Sequence, residues 1–316
     1  GEIGFVGQGT VPGHILNQFS MDEFEGNFRI ATTIGQIWGT QQQSQNNLYV
    51  LDSEMNLVGS LEGLAPGEKI YSTRFMGPRA YMVTFKKVDP LFVIDVSNPT
   101  NPRVLGKLKI PGYSDYLHPI DETHLIGLGK DTIDASSELV QGRGLDFAWY
   151  QGIKMAIFDV SDVENPIELH KIVIGDRGTE SPALHDHKAF LYDKEKDLLV
   201  LPVTLSEISE SQKVPLGQNQ GFPSYGVPVF QGALVYKVTL ENGFEERGRV
   251  THVSNEDELN SGYYYDYQSQ VMRSMFIEDV LFTLSNKMIR ASDLTSLNTL
   301  KDFVFPGYEQ PVYYGY

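Results

Sequence analysis

The sequence predicts an all-β protein, a β-propeller of four-stranded antiparallel blades. Three observations carry this. Short apolar runs rich in β-branched and aromatic residues recur along the chain, each bounded by Gly, Pro, Asn or Asp, which is the pattern of strands joined by tight turns. The runs come in fours, the unit of a propeller blade. The block from Tyr71 to Gly129 shows the unit most plainly: STRFM, AYMVTF, LFVIDV and VLGKLKI follow one another, and the pattern restarts at YSDYLHPI.

In chain order, EIGFVGQG reads as an extra N-terminal strand without a blade of its own. Five blades follow, over residues 14–68, 69–112, 113–176, 181–254 and 263–306, with a tyrosine-rich tail at 307–316. We take residues 1–316 as a single propeller domain with five recognisable blades, which fit either a five-bladed ring or part of a larger propeller. About three-quarters of the unfolded surface of a chain this long is buried on folding, enough for a full core.

The strongest internal match pairs LFVIDVSNPTNPRVLGKLKIPG with MAIFDVSDVENPIELHKIVIGD. Asp95 aligns with Asp159, Ser97 with Ser161 and Asn101-Pro102 with Asn165-Pro166, all at one offset, and Asp52 heads a shorter copy. Asp and Ser at a strand end fold back onto backbone N–H groups, so these repeated acids are turn chemistry.

These motifs also resemble a known family. ILNQFSMDEFEGNFRIATT, the run from RFMGPRAYMVTF to HLIGLGKD, and FDVSDVENP with the following IGDRGTESPALHDHKAFLYDKEKDLL are similar to secreted archaeal and bacterial proteins with a C-terminal β-propeller distantly related to WD repeats. The resemblance runs from about Pro12 to Phe305. It implies an extracellular or cell-surface protein and supplies no catalytic residues.

Composition narrows the partners. A formal charge of −16 argues against nucleic acid and anionic membrane, and no apolar run is long enough for a membrane-spanning helix. With no cysteine there are no thiolate metal sites and no thiol nucleophile. The nucleophile-elbow, zinc-protease and phosphate-loop motifs are all missing.

Candidate binding residues come from two places. The connections between second and third strands are long in the first, third and fourth blades, and such loops are usually functional. They carry Trp38, Trp149 and Tyr150, with Phe147, Phe222 and Tyr225 nearby. Inner strands line the central channel of a propeller. Counting back from the second strands places Asp22, Arg74 and His118 at equivalent positions, with His185, His187 and Arg273 contributed by the last two blades. His-x-His on a strand aims both rings one way, which suits a metal if a third ligand converges, and no third ligand stands at a recognisable spacing. The linkers between blades bring Asp115, Asp176, Arg177 and Glu180 to the channel mouth, as an acidic pocket rimmed by aromatics. No cofactor is expected; calcium is the cation such a mouth would suit.

Three functions fit: a recognition or scaffold module binding protein or polysaccharide through the long-loop face, a structural subunit of a cell-surface assembly that self-associates through edge strands, or a hydrolase or lyase using the acidic mouth. The first is the expectation, with no catalysis assigned.

Overall fold

A computed structural model describes all residues except 1–3, 6, 37–42, 86–88, 135–147, 210–223, 254–266 and 308–316. It contains five four-stranded antiparallel sheets, each built from four consecutive strands. The first holds β1 (Met21–Phe24), β2 (Asn27–Ile34), β3 (Gln45–Leu51) and β4 (Leu57–Leu64), and the second β5 (Lys69–Met76), β6 (Arg79–Phe85), β7 (Asp89–Asp95) and β8 (Arg103–Ile110). The third holds β9 (Tyr113–Pro119), β10 (His124–Asp134), β11 (Ala148–Asp159) and β12 (Ile167–Ile174). The fourth holds β13 (Leu191–Asp193), β14 (Leu198–Glu207), β15 (Val227–Thr239) and β16 (Gly243–Val250), and the fifth β17 (Arg273–Ile277), β18 (Val280–Leu284), β19 (Met288–Asp293) and β20 (Thr299–Val304). The chain forms two compact units, one of Gly1–Tyr150 with Lys154–Val173, the other of Gln151–Ile153 with Ile174–Tyr316.

Within the first unit, alternation along the middle strands builds a core on both faces of one sheet. Ala80, Met82 and Ile94 of the second sheet pack with Ala31, Leu48 and Val50 of the first. Their neighbours Tyr81, Val83, Leu91 and Val93 point the other way, onto Leu117, Leu125, Ala156 and Phe158 of the third. In the second unit, Leu198, Val200, Ala233 and Val235 pack with Val271, Leu281 and Leu294. Burying sequence neighbours on opposite faces is why these strands read as unbroken apolar runs.

The Asp-Ser repeat has a purpose in this packing. Asp95 Oδ1 accepts hydrogen bonds from the Ser97 amide (3.1 Å) and hydroxyl (2.6 Å), and Asp159 Oδ1 accepts from the Ser161 amide at 2.8 Å. The Ser161 hydroxyl and amide hold the Asp159 carboxyl below its usual range. Each turn then docks on a glycine in the outer strand of the preceding sheet. A Cβ on Gly59 would stand 2.1 Å from the Pro99 carbonyl, and one on Gly106 2.4 Å from the Val163 carbonyl. The repeat is therefore the joint between sheets.

Two expected elements differ. The described residues of the opening EIGFVGQG form no strand; Gly7 and Gly9 instead lie against the backbone of Glu54 and Met55, and the nearest ladder contact is a single bridge between His14 and Thr33. The stretch ALHDHKAF is not a strand either. It forms two short 3-10 turns, Pro182–Leu184 and His187–Ala189, before the three-residue β13. Ser181 caps the first and Asp186 the second through their side-chain oxygens, and these local bonds compete with a ladder.

Candidate functional site

The site in the first unit is built by two irregularities. In the β5–β6 ladder Ile70 pairs with Thr84 and Ser72 with Val83, so Tyr71 is an unpaired extra residue. In the β9–β10 ladder Tyr116 pairs with Leu128 and Ser114 with Gly129, which makes Asp115 the extra residue. Bulges re-aim side chains, and here two stand on the facing first strands of adjacent sheets. A hydrogen bond from the Ser72 hydroxyl to the Ser114 carbonyl, 2.6 Å, ties the strands together beside them.

Around the bulges lies a cluster of aromatic rings. The Tyr71 and Tyr113 ring centroids are 4.6 Å apart, Phe85 and Tyr113 4.8 Å, and Tyr113 and Tyr150 5.4 Å. The Tyr71 and Tyr150 hydroxyls meet at 3.5 Å, and the Lys69 ammonium stands 4.9 Å from the Tyr71 ring centre. Phe85 and Tyr113 are buried, whereas Tyr150 is 45% exposed. Burial, the Tyr150 hydroxyl and the charge of Asp115 all push the Tyr71 pKa up, so this phenol keeps its proton. The patch presents hydroxyls, ring faces and one carboxylate at the end where β10 and β11 are joined by their long connection.

Further along the same two strands is a polar cluster. Arg74 stacks on Phe19, 4.8 Å from the ring centre, and Phe19 is itself held by a 3-10 turn whose Asn17 cap accepts its amide at 2.9 Å. The Tyr116 hydroxyl and His118 Nδ1 share a hydrogen bond of 3.0 Å. Burial raises the Tyr116 pKa while the adjacent Arg74 charge opposes it. Burial, then Arg74, lowers His118 to about 4, so it is neutral at physiological pH.

The predicted site residues divide accordingly. Arg74 and His118 are brought together, with Tyr116 as the link the sequence reading missed. Asp115 and Tyr150 join the tyrosine patch, along with the unforeseen Tyr71 and Tyr113. Trp149 is half-buried in β11, and Trp38 lies outside the described residues. Asp22 is taken up by Arg29, through Nε to Oδ1 at 2.7 Å and Nη2 to Oδ2 at 2.5 Å.

The remaining residues belong to the second unit. The Asp176 carboxylate accepts the Ile208 amide at 2.7 Å, which anchors the end of β14. Arg177 lies over the Tyr225 ring at 4.2 Å and donates to its hydroxyl at 3.1 Å. Glu180 is exposed and forms a bridge with Thr204. His185 ends the first 3-10 turn and His187 opens the second, so they do not share one strand face, and Asp186 between them forms an ion pair with Arg273.

Comparison with known proteins agrees with the architecture. The model of the family described as "Beta propeller domain" matches residues 1–297. The chain belongs to the β-propeller domain family. An uncharacterized protein of Methanocaldococcus jannaschii is 36% identical over 311 residues, 98% of this chain, and this propeller spans 40% of that relative's length. Among solved structures, Citrobacter koseri AztD aligns with 91% of this chain and 59% of its own at 12% identity and a TM-score of 0.46. The Cps50 (Swd1) β-propeller domain of Myceliophteria thermophila aligns with 96% of this chain and 90% of its own at 8% identity and a TM-score of 0.40. Among the described residues no helix is long and apolar enough to cross a membrane.

Proposed function

We propose that this propeller is a recognition module that binds polysaccharide at the cell surface through the tyrosine patch of its first unit. The observation that carries the reading is the pair of bulges that aim Tyr71 and Asp115 into one cluster with Tyr113 and Tyr150. Sugar rings offer C–H faces that stack on aromatics and hydroxyls that bond carboxylates and phenols, so this combination suits them. The surface location follows from the resemblance of the blade motifs to secreted propellers. Binding of a panel of oligosaccharides to the intact chain and to Tyr71→Ala and Tyr150→Ala variants tests it. At least a tenfold loss in both variants is expected; unchanged affinity in both contradicts the reading.

A second reading, a structural subunit that self-associates, is favoured by the fifth sheet. Its outer strand β20 is exposed throughout, including Leu300, Phe303 and Val304, and Met275 and Ile277 of β17 are more than half exposed. Exposed apolar strands of this kind pair with other chains. Concentration-dependent association that a Phe303→Lys change abolishes would favour it over the first.

A further inference from the structure

Most arginines among the described residues hold an acid. Arg29 holds Asp22, Arg79 holds Asp95, Arg249 holds Glu246, Arg273 holds Asp186 and Arg290 holds Asp302. Arg74 has no ion pair among the described residues, although the chain carries 41 acids against 25 bases. Its surroundings are a phenylalanine ring on one face, a tyrosine hydroxyl and a histidine kept neutral. Beyond its hydrogen bond with the Tyr116 hydroxyl, this half-buried guanidinium stacked on a ring has further N–H groups for a planar partner, and the partner that matches that fork is a carboxylate.

We propose that Arg74, backed by Tyr116 and His118, is a subsite for the carboxylate of a uronic-acid residue, in a saccharide whose neighbouring rings lie on the tyrosine patch. The inference rests on the saccharide reading above and adds the charge and register of the ligand. Arg74 lies three residues beyond Tyr71 on β5, roughly 10 Å along an extended strand, so an oligosaccharide of a few rings reaches both. The two ends of this track differ in sign. Asp115 beside Tyr71 repels an acid group and accepts sugar hydroxyls, while Arg74 attracts the acid, so an acidic sugar is placed in one register. One cation beside a neutral imidazole balances a single negative charge. That favours a carboxylate over a phosphate dianion, and the acidic surface of the whole chain works against long polyanions.

The test compares trigalacturonate with galactotriose by titration calorimetry on the full chain at fixed ionic strength, in wild type, Arg74→Met, Arg74→Lys and Tyr71→Ala. Wild type is expected to prefer trigalacturonate at least tenfold, Arg74→Met to bind both sugars alike, and Arg74→Lys to keep part of the preference. Equal binding in wild type, or a preference that survives Arg74→Met, overturns the inference. If both sugars bind equally and Tyr71→Ala loses both, saccharide recognition stands and the acidic subsite falls. If neither sugar binds, both fall. A glutamate-containing peptide that binds through Arg74 more tightly than trigalacturonate also overturns it, by making the ligand a protein. Should Arg74→Met fail to fold, the charge-retaining Arg74→Lys variant carries the comparison.

Discussion

Arg29 and Arg74 sit in the same unit, on neighbouring sheets, and each stacks on phenylalanine. They differ in how their hydrogen bonds are spent. Arg29 is fully buried between the Phe24 and Phe75 rings, at 4.8 and 5.1 Å, binds Asp22 with two nitrogens and donates its third to the Gly77 carbonyl at 2.6 Å. It bolts the first hairpin to the second. Arg74 is half-buried, stacks on one ring and holds no acid. A saturated arginine is part of the frame and an unsaturated one at a surface is equipped to meet a ligand. The second unit supplies the intermediate case, where Arg273 pairs with Asp186 while both remain partly exposed.

If this contrast is correct, Arg29→Met has the largest effect. It leaves the Asp22 carboxylate without its partner and costs about 3–5 kcal/mol of stability, measured as a shift of the urea midpoint. A cost below about 1 kcal/mol would place Arg29 with the ligand-binding arginines. Next comes acid. His118 and His252 are both held near pKa 4, His118 by burial and Arg74, His252 by burial and Arg290. His252 gives and takes hydrogen bonds with the Ser285 and Thr283 hydroxyls at 2.9 and 2.8 Å. Their folded values lie below the unfolded value of 6.5. Stability is therefore complete above that value and is lost as pH falls from there towards about 4, because the unfolded chain takes up the protons first. Denaturant titrations across this window should show the loss, and a His118→Gln/His252→Gln variant should flatten it.

Smaller changes sharpen the same comparison. Arg74→Met should alter stability by less than about 1 kcal/mol, since no ion pair is broken, as a melting curve would show. A loss of several kcal/mol would make Arg74 a second Arg29. Asp186→Asn should shift the melting curve least of all, because the ion pair with Arg273 is partly exposed.

Much of the fold was legible because turn residues and strand alternation are local. The five four-strand groups, the tight first turns and the long connections before β3, β11 and β15 all follow from them. The histidines of ALHDHKAF misled because alternation says nothing about Ser181 and Asp186, whose caps turn the chain before a ladder can form. Arg74 and His118 could be placed side by side by counting along equivalent strands. Tyr71, Tyr113 and Asp115 could not be assembled that way, because a bulge exists only in the register between two strands and a single strand's sequence does not contain it. Arg29 was hidden for a related reason. It sits in the apolar pattern of β2 as an ordinary strand residue, and its partners Asp22, Phe75 and Gly77 come from three other places.

The most direct test of recognition at the tyrosine patch is to follow the tyrosine ring signals of the intact chain by NMR while trigalacturonate or galactotriose is added. The account predicts that Tyr71, Tyr113 and Tyr150 shift together and saturate at one affinity, while Tyr225 of the second unit stays in place. Saturating shifts at Tyr225 with none at Tyr71 and Tyr150 would contradict it.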